Sequence, residues 1–411
     1  TTSLGGTISG SNVTLTKSGI GRLLFSGTNT FTGTMNVNAG TLLLSGGSAL
    51  ADSVALKVGT AGWVWLNNNE SVATLDGAGM LSLQSNTLTL LGSGSASYSG
   101  NITGTGKLVL NGSLAQTLAG SSSFSGGVSL SAGTLLIGND YALGGPLGGS
   151  LSTTGGTLSS SDTTAHTLSN PLSLSGTLTL GDLIKNGALT LSGSAALSNA
   201  VTLHLLSTNT LSGVLSGAYG LTKAGIGELL LSGSNTFTGA NTTITGGTLT
   251  VSGGNAIPNA MGIAITAGTF RVASSETIGA LNGNGYVDLQ SGTLTLTGTS
   301  SASYSGVIGG SGALLASGTS TQILQGTNTF SGGLTLTSGT IQVANASALG
   351  SGVFVAMGGT LSSSNTAAWT IANPFVFSGT LGLGNASNNG TLTLSGNGSL
   401  AADTTVNLAS A

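Results

Sequence analysis

The chain has 411 residues, of which 4% are charged, with a formal net charge of −3, 72 glycines and no cysteine. Seven lysines and arginines cannot form the basic face that nucleic-acid binding requires. The lack of cysteine excludes disulfide scaffolds, thiol catalysis and iron–sulfur sites. No segment supplies the roughly 18 consecutive apolar residues of a membrane-spanning helix, so we expect neither a nucleic-acid partner nor a membrane span.

The chain repeats itself at a long interval. Residues 17–27 return as 223–233, and residues 97–100 return as 303–306, at one offset (223 − 17 = 206 and 303 − 97 = 206). Such repetition predicts two tandem units, residues 1–206 and 207–411, with the second continuous with the first. We also expect the chain to be an excerpt from, or a protomer of, a longer array.

Short runs of alternating Leu and Thr recur through both units and predict β-strands. With a period of two, Leu or Val lies on one face of the strand and Thr or Ser on the other. Glycine and asparagine between the runs tolerate the sharp turns that would separate short strands. These runs are residues 41–44, 87–90, 177–180, 248–251, 293–296 and 391–394.

Three architectures use many short strands. A sandwich or closed soluble barrel has one private core, which tandem repetition disfavours, and an outer-membrane barrel needs aromatic girdles that a chain with 4% aromatic residues does not supply. We therefore predict an all-β fold, a right-handed parallel β-helix (β-solenoid) of roughly twenty coils. Stacked coils would place like charges one above another, which explains the low charge. Ladders of Thr, Ser and Asn would exchange hydrogen bonds along the stack instead.

Residues 213–251 and 6–44 resemble the autotransporter-associated β-strand repeat, also called the passenger-associated transport repeat. The resemblance lies in a Lys-x-Gly-x-Gly lead, an Asn-Thr-Phe-Thr-Gly segment and a Gly-Thr-Leu strand. Two weaker copies, which lack the lysine lead, centre on Phe124 and Phe330. The resemblance implies a β-helical passenger segment at or beyond the outer membrane of a Gram-negative-type bacterium. It also implies a role in adhesion, autoaggregation or biofilm cohesion.

Parallel β-helices include polysaccharide-cleaving enzymes, which generally use two facing carboxylates. The ten acidic residues are Asp52, Glu70, Asp76, Asp140, Asp162, Asp182, Glu228, Glu276, Asp288 and Asp403. Only Glu70 with Asp76, and Glu276 with Asp288, are near each other in sequence. Because Glu70 and Glu276 recur at the repeat offset, as Lys17 and Lys223 do, we predict exposed turn positions for these four residues.

A Ser/His/Asp site could draw on His166 or His204, but neither histidine recurs in the other unit, and no strand–helix turn offers a nucleophile elbow. Gly-x-Gly pieces lack the helix that would cradle phosphate. Ten carboxylates could not line a series of calcium-binding repeats. We therefore predict that the protein is not an enzyme and has no catalytic, cofactor-binding or metal-binding residues.

Aromatic residues offer the remaining candidates for binding. Phe31 and Phe237 could stack on sugars, but we predict that they fill the coil interior while Asn29 and Asn235 bond the backbone at turns. In the run Trp63-Val64-Trp65, we predict that one indole packs in the core and the other is exposed. An exposed indole could contact a sugar or a neighbouring rod.

These observations together predict a structural, extracellular protein of the bacterial surface. It would be an adhesin or autotransporter passenger segment that acts in adhesion, self-association or biofilm cohesion. Self-association, lateral or head to tail, is the expected partner interaction, and surface carbohydrate is a further candidate. The alternatives are a protomer of a head-to-tail extracellular fibre or sheath and, less favoured, a carbohydrate-active β-helix enzyme.

Overall fold

The structure is a computed structural model that describes residues 1–388 and 390–409. In this part of the chain it contains 45 β-strands and one turn of 3₁₀-helix, Gly145–Leu147, but no α-helix. The chain forms two compact units, Thr1–Gly213 and Val214–Ala411. The repeat boundary that the sequence places between residues 206 and 207 stays a prediction.

The strands of the first unit are short because glycine, serine and asparagine interrupt them every few residues. In chain order they are β1 (Thr2–Leu4), β2 (Val13–Lys17), β3 (Arg22–Phe25), β4 (Gly33–Leu44), β5 (Val54–Leu66), β6 (Glu70–Val72), β7 (Thr74–Gly77), β8 (Met80–Ser82), β9 (Thr87–Leu90), β10 (Ser95–Tyr98), β11 (Ile102–Thr103), β12 (Lys107–Leu110), β13 (Ala115–Leu118), β14 (Val128–Leu130), β15 (Thr134–Ile137), β16 (Leu151–Thr153), β17 (Thr157–Ser160), β18 (His166–Leu168), β19 (Leu172–Leu180), β20 (Leu189–Leu191), β21 (Ala195–Leu205) and β22 (Asn209–Leu211).

The second unit follows the same plan. Its strands are β23 (Leu215–Gly217), β24 (Leu221–Ala224), β25 (Glu228–Leu231), β26 (Asn241–Ile244), β27 (Thr248–Val251), β28 (Gly262–Ile265), β29 (Thr269–Val272), β30 (Glu276–Ile278), β31 (Leu281–Gly283), β32 (Tyr286–Asp288), β33 (Thr293–Leu296), β34 (Ala302–Tyr304), β35 (Val307–Gly309), β36 (Ala313–Ala316), β37 (Thr321–Leu324), β38 (Leu334–Leu336), β39 (Thr340–Val343), β40 (Phe354–Ala356), β41 (Thr360–Ser363), β42 (Trp369–Ile371), β43 (Phe375–Leu383), β44 (Leu392–Leu394) and β45 (Gly398–Leu408).

Within each unit, strands of successive coils pair in parallel, which confirms the predicted all-β parallel solenoid. Residues one coil apart then stack in columns, inward or outward according to their place in the strand. One buried column of the first unit is Leu88, Leu108, Val128, Leu151 and Leu172. One of the second unit is Leu294, Leu314, Leu334 and Phe354. Each coil thus contributes one layer of apolar side chains to a continuous core.

The Asn-Thr-Phe segment of each strong repeat ties three coils together. Phe31 is fully buried. The Oδ1 atom of Asn29 accepts a hydrogen bond from Ile8 N–H at 2.8 Å, and its Nδ2 donates to the Ala49 carbonyl at 2.7 Å. Asn235 makes the equivalent two bonds, each at 2.7 Å. The predicted roles, phenylalanine in the interior and asparagine on the backbone, are confirmed.

Hydroxyl groups also bond along the stacking direction, as predicted, but their acceptors are mostly backbone carbonyls of the neighbouring coil. Ser131 Oγ donates to the Leu110 carbonyl at 3.1 Å, and Thr337 Oγ1 donates to the Ala316 carbonyl at 3.1 Å. A short side chain beside a parallel ladder reaches that backbone more readily than the next hydroxyl. These side-chain hydrogen bonds therefore add to the backbone hydrogen bonds that already join successive coils.

Candidate functional surface

Lys17 and Lys223 are buried, so their predicted placement at exposed turns is wrong. Nζ of Lys17 donates to the carbonyl oxygens of Ser18, Gly19 and Ala39 at 3.1, 2.6 and 2.9 Å. Lys223 is 0% exposed and makes the same three bonds in the second unit, at 3.0, 3.1 and 2.9 Å. A buried ammonium is stable here because backbone acceptors replace its lost water. Burial lowers the pKa of Lys223 to about 8, although the negative charge of Glu228 acts to raise it.

Glu70 and Glu276 are also buried, and their predicted exposure is corrected in the same way. Oε2 and Oε1 of Glu70 accept hydrogen bonds from the N–H groups of Ala49 and Leu50 at 3.1 and 3.2 Å. Glu276 accepts the equivalent two bonds at 3.2 and 3.0 Å. Desolvation raises the pKa of Glu70 to about 7, although the backbone hydrogen bonds act to lower it. The pKa of Glu276 is raised for the same first reason.

The acid pairs that are close in sequence do not form a facing pair. Glu70 is turned to the backbone amides of the preceding coil, whereas Asp76 stands on β7 beside Lys57 of β5. In the second unit Glu276 is likewise turned to the backbone, and Asp288 is bound to Arg271 at 3.1 Å. In neither unit do the two acids face each other across a groove, which is the arrangement that glycoside cleavage requires.

The structure pairs His166 with a residue that the sequence analysis did not connect to it. Nδ1 of His166 lies 2.9 Å from Oδ1 of Asp140, at a groove that Tyr141 also lines. The His166 side chain is 10% exposed, and its Nε2 has no hydrogen-bond partner among the described residues. A catalytic triad needs a hydroxyl at that nitrogen. His204 lies elsewhere, on β21 beside Thr179. In the sequence, the one indication that Asp140 and His166 could meet is their separation of 26 residues, about one coil.

Trp63 and Trp65 both lie on the outer face of β5, so the prediction that one ring packs in the core is wrong. Val64 between them is buried, Trp63 is 43% exposed and Trp65 is half-buried. Residues two positions apart on a strand share a face, so an inward Val64 turns both indoles outward. Part of the burial of Trp65 comes from Arg22, whose guanidinium carbon lies 4.7 Å from the indole centroid.

The two rings and Arg22 border a groove of about 440 Å³ on the first unit. Its floor is made of small residues, and its rim includes the strongly exposed Ile20. In the second unit, Glu228 occupies the place of Arg22, and Arg271 occupies the place of Trp65 (228 − 22 = 206 and 271 − 65 = 206). The side chains there form an ion pair at 3.3 Å. One pair of surface positions thus holds a cation–indole contact in one unit and a salt bridge in the other.

Two further features bear on function. Within residues 1–388 and 390–409, no helix is long and apolar enough to cross a membrane. In the same residues, no three His, Asp or Glu side chains are grouped to hold a metal ion. The recurring ionisable groups of the interior, Lys17, Lys223, Glu70 and Glu276, are engaged with backbone.

Comparison with known proteins gives four family matches and one adhesin relative. The passenger-associated transport repeat family matches residues 15–44, 103–137, 221–251 and 314–343, and each match overlaps one of the four repeats identified from the sequence. The adhesin BmaC autotransporter of Brucella suis biovar 1 (strain 1330) is 32% identical over 321 residues. That alignment covers 75% of this chain and 9% of the adhesin, so the chain spans less than a tenth of that relative's length. No solved structure matches the chain.

Proposed function

This chain belongs to the proteins built from passenger-associated transport repeats, and from that premise we propose that it is a non-catalytic passenger segment of a bacterial surface adhesin. It acts outside the outer membrane, in adhesion and in association between copies of itself. The similarity to an autotransporter whose name records an adhesin supports this role.

One structural observation carries the proposal most directly. The recurring ionisable groups of the interior all form hydrogen bonds with the backbone of a neighbouring coil. These groups are Lys17, Lys223, Glu70 and Glu276. A cleavage site would instead present such groups to a substrate. The chemistry of this chain therefore maintains a stack of coils, and the surface of the stack carries the function.

The surface proposed for self-association is the uncharged outer face of the strands. One outward column of the first unit consists of Thr89, Val109, Ser129, Ser152 and Ser173. None of these side chains is charged, and the whole chain has a formal net charge of −3. Copies can therefore lie side by side with little electrostatic repulsion, because low net charge favours association.

The test displays the chain on a bacterium without adhesins of its own and measures how fast the cells settle. We expect the displayed chain to accelerate settling and the double variant Ser129→Lys with Ser173→Lys to abolish the effect. The matched control, Ser129→Thr with Ser173→Thr, should settle like the original chain. Cells that settle no faster with the chain than without it would refute self-association. Long uniform filaments of the purified chain in negative stain would indicate head-to-tail stacking instead of lateral contact.

A further inference from the structure

We propose that the groove bordered by Ile20, Arg22, Trp63 and Trp65, here called the indole groove, binds carboxylated sugars of the kind found in uronate-containing polysaccharides. The inference rests on the proposed adhesive function and deepens it, because it names a site and a class of ligand.

Strand geometry sets the two indoles side by side. Trp63 and Trp65 are two positions apart on β5, which places their Cα atoms about 7 Å apart on one face. An indole offers a flat, apolar surface with a polar edge. The C–H groups of one face of a pyranose ring pack against such a surface, while the hydroxyl groups at the ring edge stay hydrated. The exposed Trp63 ring therefore suits a sugar ring, and Trp65, whose ring Arg22 covers, holds that guanidinium beside it.

Arg22 supplies a charge that selects among sugars. Its guanidinium lies over the Trp65 ring, with 4.7 Å between the guanidinium carbon and the ring centroid, a cation–π contact that holds it at the groove. A guanidinium has five N–H donors in a fixed plane that matches the two oxygens of a carboxylate. Among the described residues that line the indole groove, Arg22 alone is charged. The groove is therefore complementary to an anionic sugar.

The second unit shows that the coil does not need this arrangement for its own stability. There Glu228 replaces Arg22 and Arg271 replaces Trp65. Arg271 is bound to Glu228 at 3.3 Å and to Asp288 at 3.1 Å. The charges of that surface compensate one another, and no indole is present. The exposed Trp63 and the acid-free groove of the first unit are thus features that folding does not explain.

A sugar fits the indole groove better than a second copy of the chain does. The floor of the groove, Ala39, Gly40 and Ala61, is low because these residues are small, which leaves a cleft of about 440 Å³. Stable contacts between proteins bury about 1,600 Å², whereas the apolar surface here is confined to Ile20, at 95% exposure, and the two indoles. Pockets of a few hundred cubic ångströms are typical of small-ligand sites.

The experiment measures binding of oligogalacturonate to the whole chain by titration calorimetry. The methyl ester of the same oligosaccharide keeps the pyranose rings and removes the charge, so it serves as the matched ligand control. We expect saturable binding of the acid and binding of the ester that is at least about tenfold weaker, because a charge-assisted hydrogen bond to Arg22 is lost. Hyaluronan oligosaccharide, a second uronate sugar, should bind as the acid does.

Three variants locate the binding. Trp63→Ala with Trp65→Ala should abolish it, and Arg22→Gln should reduce the affinity for the acid to that for the ester. The matched protein control is Arg271→Gln, at the equivalent surface of the second unit, which should leave binding unchanged. Circular dichroism of each variant establishes that the fold is retained, as expected for substitutions on the outer face.

Several results would overturn the proposal: no saturable binding of either uronate sugar, equal binding of acid and ester, or binding that survives the loss of both indoles. If the double tryptophan variant instead slows cell settling in the absence of sugar, the groove is a contact between copies and the sugar proposal fails. If the displayed chain accelerates settling but binds neither sugar, the proposed self-association is supported and the sugar proposal is refuted. Sugar binding without accelerated settling would remove only the self-association.

Discussion

The side-chain amide of Gln116 binds the backbone of Leu75, two coils away, at both of its polar groups. Oε1 accepts a hydrogen bond from Leu75 N–H at 3.4 Å, and Nε2 donates to the Leu75 carbonyl at 2.8 Å. The intervening coil contributes Ala96, which is in register with Gln116 and small enough to let the amide pass. The second unit repeats the arrangement, with Gln322 on Leu281 at 3.1 and 2.9 Å.

Replacing Gln116 by Leu should lower the stability of the first unit by about 1–3 kcal/mol, because the N–H and carbonyl of Leu75 would be left buried without these partners. Hydrogen exchange of the Leu75 amide is the direct measurement and should become faster. Gln325→Leu, at an exposed position, is the control and should change stability by less than about 0.5 kcal/mol. Unchanged exchange at Leu75 would show that the glutamine is not a structural bridge.

Replacing Lys223 by Met should destabilise the second unit by about 1–3 kcal/mol, because the carbonyls of Ala224, Gly225 and Gly246 lose a charged donor. The pKa of Lys223 is lowered to about 8 in the folded chain, from an ordinary value of 10.5. Between these two pH values the unfolded chain binds more protons than the folded chain. The stability of the original chain should therefore rise relative to Lys223→Met as pH increases from 8 to 10.5 in denaturant titrations. A stability difference that is constant across this pH range would contradict the prediction.

The buried carboxyl of Glu70 should make the first unit more stable in mild acid. Its pKa is raised from 4.5 to about 7 on folding, so the folded chain binds the extra proton more tightly. Its stabilising effect is therefore complete below about pH 4.5 and is lost as pH rises to about 7, at no more than about 1.4 kcal/mol per pH unit. Urea titrations at pH 5 and pH 8 measure the free energy of unfolding at each pH. The difference between the two values should be smaller for Glu70→Gln than for the original chain. An identical pH profile for the two chains would contradict the assignment.

Two glycines of neighbouring coils, Gly19 and Gly40, should respond very differently to alanine. Both have positive φ, 72° at Gly19 and 71° at Gly40. A Cβ at Gly19 would meet nothing within 4 Å, whereas a Cβ at Gly40 would lie 2.5 Å from the carbonyl oxygens of Gly19 and Gly21 and 2.7 Å from Nζ of Lys17. Gly19→Ala should cost only the backbone strain of about 1–2 kcal/mol. Gly40→Ala should cost at least about 2 kcal/mol more, since it also displaces the lysine. Equal melting temperatures for the two variants would refute the account.

The weaker repeat around Phe124 offers a stabilising change. Ser122 Oγ accepts a hydrogen bond from Ile102 N–H at 3.1 Å, in the place where Asn29 and Asn235 accept theirs. Ser122→Asn would keep that bond and add an amide that can donate to the next coil, for a gain of about 1 kcal/mol. The reverse change, Asn235→Ser, should lose a similar amount. If Ser122→Asn lowers the denaturation midpoint, the larger side chain does not fit this coil.

The fold could be predicted from the sequence because its signals are local and repeated. The Leu-Thr alternation of β9 and β33 defines an inward and an outward face without reference to the rest of the chain. The 206-residue offset between residues 17 and 223 made independent domains with different folds implausible. The roles of Phe31 and Asn29 also followed from residue type, because a large apolar ring is most stable in the coil interior and an asparagine amide at a turn can bond the backbone.

The positions of the charges could not be predicted in the same way. Sequence rules place lysine and glutamate at the surface because isolated charges are costly to bury, yet Lys17 and Glu70 lie inside. The ammonium of Lys17 bonds the adjacent Ser18 and Gly19 carbonyls, but only the stacking of coils adds the Ala39 carbonyl. Stacking likewise brings two N–H groups of the preceding coil to the Glu70 carboxylate. The outward direction of both Trp63 and Trp65, and the contact of Asp140 with His166 one coil later, were decided by the same stacking. The sequence by itself therefore determined the repeating strand and its two faces, whereas the tertiary structure decided which polar groups meet, because those meetings depend on register between coils.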